Sequence, residues 1–296
     1  MKVLTVDIDG TFLRYACMDE LLNVSRRGKI FTPQDGRDAL IEAVGRLFEA
    51  VDDAQGIAVS MPGIVDSARG YCAMGGALLY NDDFYFRDAL EKRCRTKIYV
   101  ENNAKCAAMA EAGVGSLSGV ADGFVLIFST MVGGALIRDG KLSKGKHFAA
   151  GEVSYIILNG DGDICDENLF GRSFGVPKFL QRYADTKGTD IETVDLLTIF
   201  DAVKHGEPEA VACLRWYTKS IAAQIFNLQT ILDVETFSVG GDPAKFPAFM
   251  TNLRDELRKL YEACPFRLPQ AEVVTSKFFN DANLIGALQC WLTANA

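Results

Sequence analysis

The sequence predicts an α/β protein of two lobes. Three observations carry that expectation: short apolar runs alternate with longer stretches of helical periodicity, a strand–turn–strand pattern at the start returns near residue 120, and 296 residues with a 49% hydrophobic and 24% charged composition can bury a large core. Lys2 to Asp7 reads as a short apolar strand, and Phe12 to Ala16 returns as its hairpin partner across the turn DIDGT. Leu40, Ile41, Val44, Leu47 and Phe48 recur at helical spacing between Gly36 and Ala50. Gly56-IAVSM is a buried strand ending at the Pro62-Gly63 turn, and a helix over Asp88–Arg95 leads into the strand KIYVE. ENNAKCAAMAEAG is a strand end flowing into an Ala-rich helix that stops at Gly113.

The second lobe begins near Gly119 with the apolar run GFVLIFS, paired with GGALIRDGKL through a turn at Asp139-Gly140. Helices are expected over Val194–Lys204, Pro208–Leu232 and Pro247–Cys264, with a strand at ETFSVGG between the last two and a final helix over DANLIGALQCWLTA. The boundaries read 1–116 for an N-terminal lobe, 117–280 for a C-terminal lobe, and 281–296 for a closing helix.

Composition excludes several classes. A net charge of −8, with no basic cluster beyond Lys141, Lys144 and Lys146, argues against a nucleic-acid face. The eight cysteines are scattered without a CxxC pair and only His147 and His205 are present, so no zinc site is expected, and reduced thiols fit a cytoplasmic chain. No apolar run reaches the length of a membrane span.

DIDGT admits two opposed chemistries. It resembles the DxDGT signature of haloacid-dehalogenase-like phosphatases, in which Asp7 would be the nucleophile and Asp9 its acid/base partner. The parts such an enzyme also needs can be found: Ser129 or Thr130, then Lys141 or Lys144, then Asp161 and Asp163 in NGDGD. NGDGD is equally a Gly/Asp-rich turn, and this reading leaves ENNAKCAA, GGALIRDGKL, AAGEVSY and SVGGD without a role.

Those segments, in that order and over nearly the whole chain, resemble the ROK family of sugar kinases and sugar-responsive repressors. VDIDGTFLR is similar to its opening phosphate motif DxGGT, VSMPGIVD to its strand and PG turn, and ENNAKCAAMAE to its catalytic segment ENDANxAxxxE. FSTMVGGALIRDGKLSKGKHFAAGEVSY resembles the second phosphate loop, usually GTGxGGG, and the sugar-contacting segment; SVGGDP stands where adenosine-side glycines belong, and DANLIGAL resembles the closing helix. The resemblance implies a two-lobed actin-like (ribonuclease-H-like) ATPase fold, ATP and Mg²⁺ as cofactors, a hexose or glycoside as substrate, and a homodimer. It further implies that the closing helix packs on the first lobe. The strand at residue 3 leaves no room for a DNA-binding extension, which favours the kinase branch. GEVSY in place of GExGH, without a following cysteine cluster, resembles a zinc-free branch related to β-glucoside kinases and glucokinases.

Carried over position by position, the resemblance implies sugar contacts at Gly76, Asn102, Asn103, Glu152, Tyr155 and Glu167. It implies phosphate or ATP contacts at Asp7, Asp9, Gly10, Thr11, Ser129, Thr130, Gly133, Gly134, Gly240 and Gly241, with Asp7 also the partner of Mg²⁺. Four departures matter. The family base is an aspartate where this chain has Asn103, and a carboxamide holds a hydroxyl without taking its proton. Asp9 replaces a glycine and would repel phosphate. Met131 and Asp242 replace glycines that let backbone approach phosphate closely. Three readings stay open: a sugar kinase slowed by Asn103, a sugar-binding pseudokinase and, as the minor alternative, the DxDGT-type Mg²⁺-dependent phosphatase. For Asn102 alone, a helix cap is as good a reading as a sugar ligand.

Overall fold

A computed structural model describes residues 1–295; Ala296, the last residue of the expected closing segment, lies outside them. The chain divides into two compact units, one made of Met1–Gly115, Lys141–Ala150 and the residues from Asp281 on, the other of Ser116–Gly140 and Gly151–Asn280. Residues 141–150, which the sequence reading gave to the C-terminal lobe, therefore group with the first unit.

In the first unit β1 (Lys2–Ile8), β2 (Phe12–Asp19) and β3 (Val24–Phe31) form an antiparallel meander. Helix α1 (Arg37–Glu49) buries Leu40, Ile41 and Val44 and leads to β4 (Ala54–Met61), which lies parallel to β1. A small antiparallel sheet follows, β5 (Ile64–Asp66), β6 (Tyr71–Met74) and β7 (Phe84–Tyr85). Next come α2 (Phe86–Cys94), β8 (Lys97–Asn102) parallel to β4, and α3 (Asn103–Val114). The main sheet runs β3-β2-β1-β4-β8. β1 and β4 read as near-continuous apolar runs because both faces of a central strand are covered. β3 is exposed almost throughout and carries Arg26, Arg27 and Lys29, charges that blunt a sheet edge.

In the second unit β9 (Gly123–Phe128) and β10 (Val132–Arg138) form a hairpin. Asp139 and Gly140 both take positive φ (49° and 68°), the geometry of a tight hairpin turn, and lead into β11 (Lys141–Ser143). Then follow α4 (Phe170–Ser173), α5 (Val176–Lys187), α6 (Leu196–Lys204), α7 (Pro208–Leu232), β12 (Thr236–Gly241), α8 (Pro247–Ala263) and β13 (Glu272–Thr275). β12 is parallel to both β9 and β13. An aromatic core holds the helices to this sheet: Phe179 stacks on Tyr217 at 4.3 Å, and the Tyr217 hydroxyl, fully buried, donates to the Phe174 carbonyl at 2.7 Å. The two units share one plan. In each, an antiparallel hairpin is extended on its first strand's other side by two parallel strands in sequence order, β4 then β8 and β12 then β13.

The last helix, α9 (Ala282–Asn295), belongs to the first unit and packs Leu284, Ala287, Leu288 and Trp291 against Val3, Ala58 and Cys106. The approach to α3 is close because Gly286 has no side chain: a Cβ there would sit 1.6 Å from the Cys106 carbonyl oxygen.

Candidate functional site

The DIDGT hairpin turns on its own side chain. Asp9 Oδ1 accepts the backbone N–H groups of Thr11 and Phe12, both at 2.7 Å, while the Asp9 N–H donates to the Phe12 carbonyl at 2.9 Å. Thr32 Oγ1 donates to the Asp9 carbonyl at 2.8 Å, and Gln34 Nε2 to that of Gly10 at 3.1 Å, so the third strand's end braces the turn. Gly10 and Thr11 are exposed at its tip.

Asp7, near the end of β1, is fully buried. Its Oδ1 accepts from Ser60 Oγ and Asn283 Nδ2, each at 2.9 Å. Arg14, directly opposite Asp7 in the hairpin register, brings Nη2 to 2.9 Å from Asp7 Oδ2 and 3.3 Å from Asp9 Oδ2. The first of these contacts lacks hydrogen-bond alignment, leaving Asp7 Oδ2 buried with charge balance but no hydrogen bond. Burial pushes the Asp7 carboxyl above its usual range, against the opposing pull of Arg14, Asn283 and Ser60. Direct attack by this enclosed carboxylate on a phosphorus atom would require the Arg14 guanidinium to move aside. Asp161 and Asp163 lie in an exposed loop that Asn168 closes by bonds to Asn159 and to the Asp163 carbonyl.

Mg²⁺ takes hard oxygen donors and commonly only one or two carboxylates, the rest being phosphate and water. Asp7 Oδ2, without a hydrogen-bond partner, fits that donor type. Arg14 already balances its charge, so a divalent ion would share the position with the guanidinium or move it. Among the described residues no group of three or more His, Cys, Asp or Glu could hold a metal, and all eight cysteines are free.

At the end of β8, Asn102 is the N-cap of α3: Oδ1 accepts from the Lys105 N–H at 3.1 Å, and Nδ2 donates to the Gly63 carbonyl at 2.7 Å. Gly63 (φ 101°) in turn meets Gly76 (φ 61°), where a Cβ would lie 2.9 Å from the Gly63 nitrogen. Asn102 and Gly76 are thus joined through Gly63, and both have structural duties independent of any ligand. Asn103 is half-buried, and its Oδ1 accepts from the Ala104 N–H at 2.9 Å.

In the second unit, Ser129 and Thr130 lie exposed in the β9–β10 turn. The Ser129 N–H is spent on the Met131 carbonyl (3.0 Å), and the Ser129 carbonyl accepts from Val176 N–H (2.7 Å) at the start of α5. Thr130 shares a shallow groove of about 280 Å³ with Glu167, Arg172 and Lys178. Gly134 and Gly151 press backbone to backbone, a Cβ on Gly134 falling 2.7 Å from the Gly151 oxygen, and this fixes the chain entering Glu152 and Tyr155. Partial burial, with Glu152 as a smaller cause, pushes the Tyr155 phenol up. Gly133 lies half-buried on β10 beside Gly134. Gly240 and Gly241 end β12; a Cβ on Gly241 (φ 90°) would lie 1.9 Å from the Phe128 oxygen, so sheet closure alone demands that glycine.

Sequence reasoning missed Arg14, Ser60 and Asn283 around Asp7. Arg14 had a signal: two-stranded pairing across DIDGT sets residue 14 opposite residue 7. Asn283 had none, since 276 positions separate it from Asp7.

A sequence profile described as "ROK family" matches residues 3–294. The chain belongs to the ROK family. It is 30% identical over 292 residues to a Klebsiella pneumoniae protein named beta-glucoside kinase, covering 97% of this chain and 95% of that protein. It is also 28% identical over 297 residues to a Listeria innocua beta-glucoside kinase, covering 99% and 98%. A ROK glucokinase from Streptomyces griseus, solved with glucose and AMPPNP, superposes with a TM-score of 0.85 at 21% identity over 97% of this chain and 98% of that one. That likeness shows the fold, the actin-like ATPase architecture of ROK sugar kinases. No helix among the described residues is long and apolar enough to cross a membrane.

Proposed function

We propose that this ROK protein transfers phosphate from ATP to a hexose or β-glucoside, with a transfer step slowed by Asn103. The observation that supports it is similarity to proteins named beta-glucoside kinase along 97% and 99% of the chain. Phosphoryl transfer to a sugar rests on positioning and electrostatics, with a base to receive the hydroxyl proton. Asn103 can orient a hydroxyl through its amide but cannot receive the proton, and loss of a general base costs on the order of 10²- to 10⁴-fold in rate. Asp7 would hold Mg²⁺, which when bound would supply charge neutralisation for phosphoryl transfer.

A second reading, a sugar-binding pseudokinase, is favoured by a specific feature: each phosphate loop spends N–H groups internally. Asp9 takes those of Thr11 and Phe12, and Met131 takes that of Ser129. Mg²⁺-ATP turnover against a panel of hexoses and β-glucosides, with Asn103→Asp run beside the natural protein, separates the two. Slow turnover that Asn103→Asp raises by about 10²-fold or more supports the kinase. Silence in both, with a sugar still bound in calorimetry, overturns it in favour of the pseudokinase.

A further inference from the structure

Directly beneath the Asn102–Asn103 turn lies a charged group that neither reading uses. Glu101 is fully buried at the end of β8. Its Oε1 accepts the Asn102 N–H at 2.9 Å; its Oε2 accepts from Ser67 Oγ at 2.8 Å and is ion-paired with Lys144 Nζ. Tyr99 lies at the edge of the cluster, 3.4 Å from Oε2. Lys144 also donates to Ser67 Oγ at 2.9 Å. A buried carboxylate is tolerable only with such a set of donors, and a lysine reaching it must surrender both water and side-chain freedom.

Where Lys144 comes from gives the cluster its interest. It stands in the 141–150 segment, which the chain inserts into the first unit from the middle of the second unit's sequence. The Lys144 carbonyl accepts the Ala150 N–H at 3.1 Å, and Gly145 (φ 71°) packs on Ala150, so residues 144–150 form a closed loop anchored at its base by the ion pair. One carboxylate therefore fixes, within the first unit, both the backbone entering Asn102–Asn103 and the closed loop 144–150.

We propose that Glu101 and Lys144 are positioning residues for the acceptor sugar, setting the Asn102–Asn103 turn and the 144–150 loop beside it in the geometry that a sugar's hydroxyls require. The inference rests on the sugar-kinase or sugar-binding reading above and adds that acceptor affinity depends on a tether touching neither sugar nor nucleotide.

The test uses Lys144→Met, Lys144→Arg and the charge-balanced double Lys144→Met/Glu101→Gln in the full chain, with sugar and Mg²⁺-ATP affinities measured separately by calorimetry. The expected result is a sugar Kd raised tenfold or more in Lys144→Met, partial recovery in Lys144→Arg, and no change in whatever nucleotide affinity the natural protein has. Amide exchange at Ala150 should quicken in parallel. The double variant removes the unpaired buried charge, so it should recover thermal stability without recovering sugar affinity. If sugar Kd stays within twofold in variants whose melting temperature falls, or if the double variant restores both together, the pair is merely structural and the proposal is overturned. If the natural protein binds none of the hexoses and β-glucosides, the sugar-site reading itself fails, a result distinct from bound sugar indifferent to Lys144.

Discussion

Replacing Asp9 by glycine tests whether the DIDGT turn, the proposed first phosphate loop, is occupied by its own side chain. The carboxylate takes two N–H groups at 2.7 Å, and a nucleotide phosphate using the same donors would have to expel it and then remain beside it. The hydrogen bonds nearly cancel, one anion replacing another. The repulsion does not cancel: two unit charges about 4 Å apart cost ~4 kcal/mol at an effective dielectric of 20 and ~1 kcal/mol in water. The Asp9 side chain is 37% exposed, which places it between these limits. A middle value of about 2 kcal/mol corresponds to roughly 30-fold in Kd. Asp9→Gly should therefore tighten Mg²⁺-AMPPNP binding about 30-fold in calorimetry, with Asp9→Asn falling between. The turn should loosen at the same time: loss of a side-chain cap costs about 1 kcal/mol, and added backbone freedom a further 0.5–1 kcal/mol or so, a few degrees in melting temperature. Nucleotide affinity unchanged within twofold in Asp9→Gly, in a variant whose melting temperature shows that the turn has loosened, would refute the reasoning.

Two further outcomes concern the scaffold. Gly286→Ala places a Cβ 1.6 Å from the Cys106 carbonyl and must force α9 away from α3; a loss of roughly 3 kcal/mol is expected in denaturant unfolding, and a stability equal to the natural protein's would show that the helices can part freely. Glu42, bonded first by Arg93 and then by Arg46, has its carboxyl lowered from 4.5 to about 2. A depressed carboxyl gives stability that is present above the unfolded value and lost as pH falls through the folded one. The natural protein should thus outlast Glu42→Gln in thermal melts above pH 4.5, and the gap should close as pH approaches about 2; a gap independent of pH would contradict this.

How much of this was legible follows the kind of force at work. α7 could be read to its ends because Pro208 fits a first helical turn and the apolar spacing runs unbroken to Leu232. The turn at Asp139-Gly140 was legible because few dipeptides accept two positive φ values. β3 was not: its residues are exposed almost throughout, and what holds it is pairing with β2 and the stacking of Phe31 on Phe12 at 5.2 Å. α5 was also passed over, although Pro177 near its start and Gly188 (φ 67°) at its end are ordinary helix signals. In the candidate site, the local duties of the named positions were not legible. That Asn102 spends Oδ1 on a cap and Nδ2 on Gly63, or that Asp9 folds back on its own turn, depends on φ/ψ and register. Residues 141–150 group with the first unit, where Lys144 reaches Glu101, a contact between residues 43 positions apart with no local signature.

A carboxylate absent at position 103 and another present at position 9 invite the idea that the base has moved. The sheet argues against it. Asp7 pairs with Ser60 on β4, and Ser60 with Glu101 on β8, so positions 9 and 103 lie level at the same rim but two strands apart. Strands are spaced about 4.8 Å, which puts the two backbones on the order of 10 Å from each other. A base must come within about 3 Å of the proton that it removes, so a hydroxyl held by Asn103 is beyond Asp9. Asp9 Oδ1 is moreover committed to two backbone N–H groups, and Oδ2 faces Arg14. On the proposed function, the two departures act on opposite partners of the reaction, Asn103 on the acceptor and Asp9 on the nucleotide. Their reversals should separate accordingly, Asn103→Asp appearing in kcat and Asp9→Gly in nucleotide affinity. A single relocated base would instead make Asp9→Gly abolish turnover, which is the outcome that this geometry forbids.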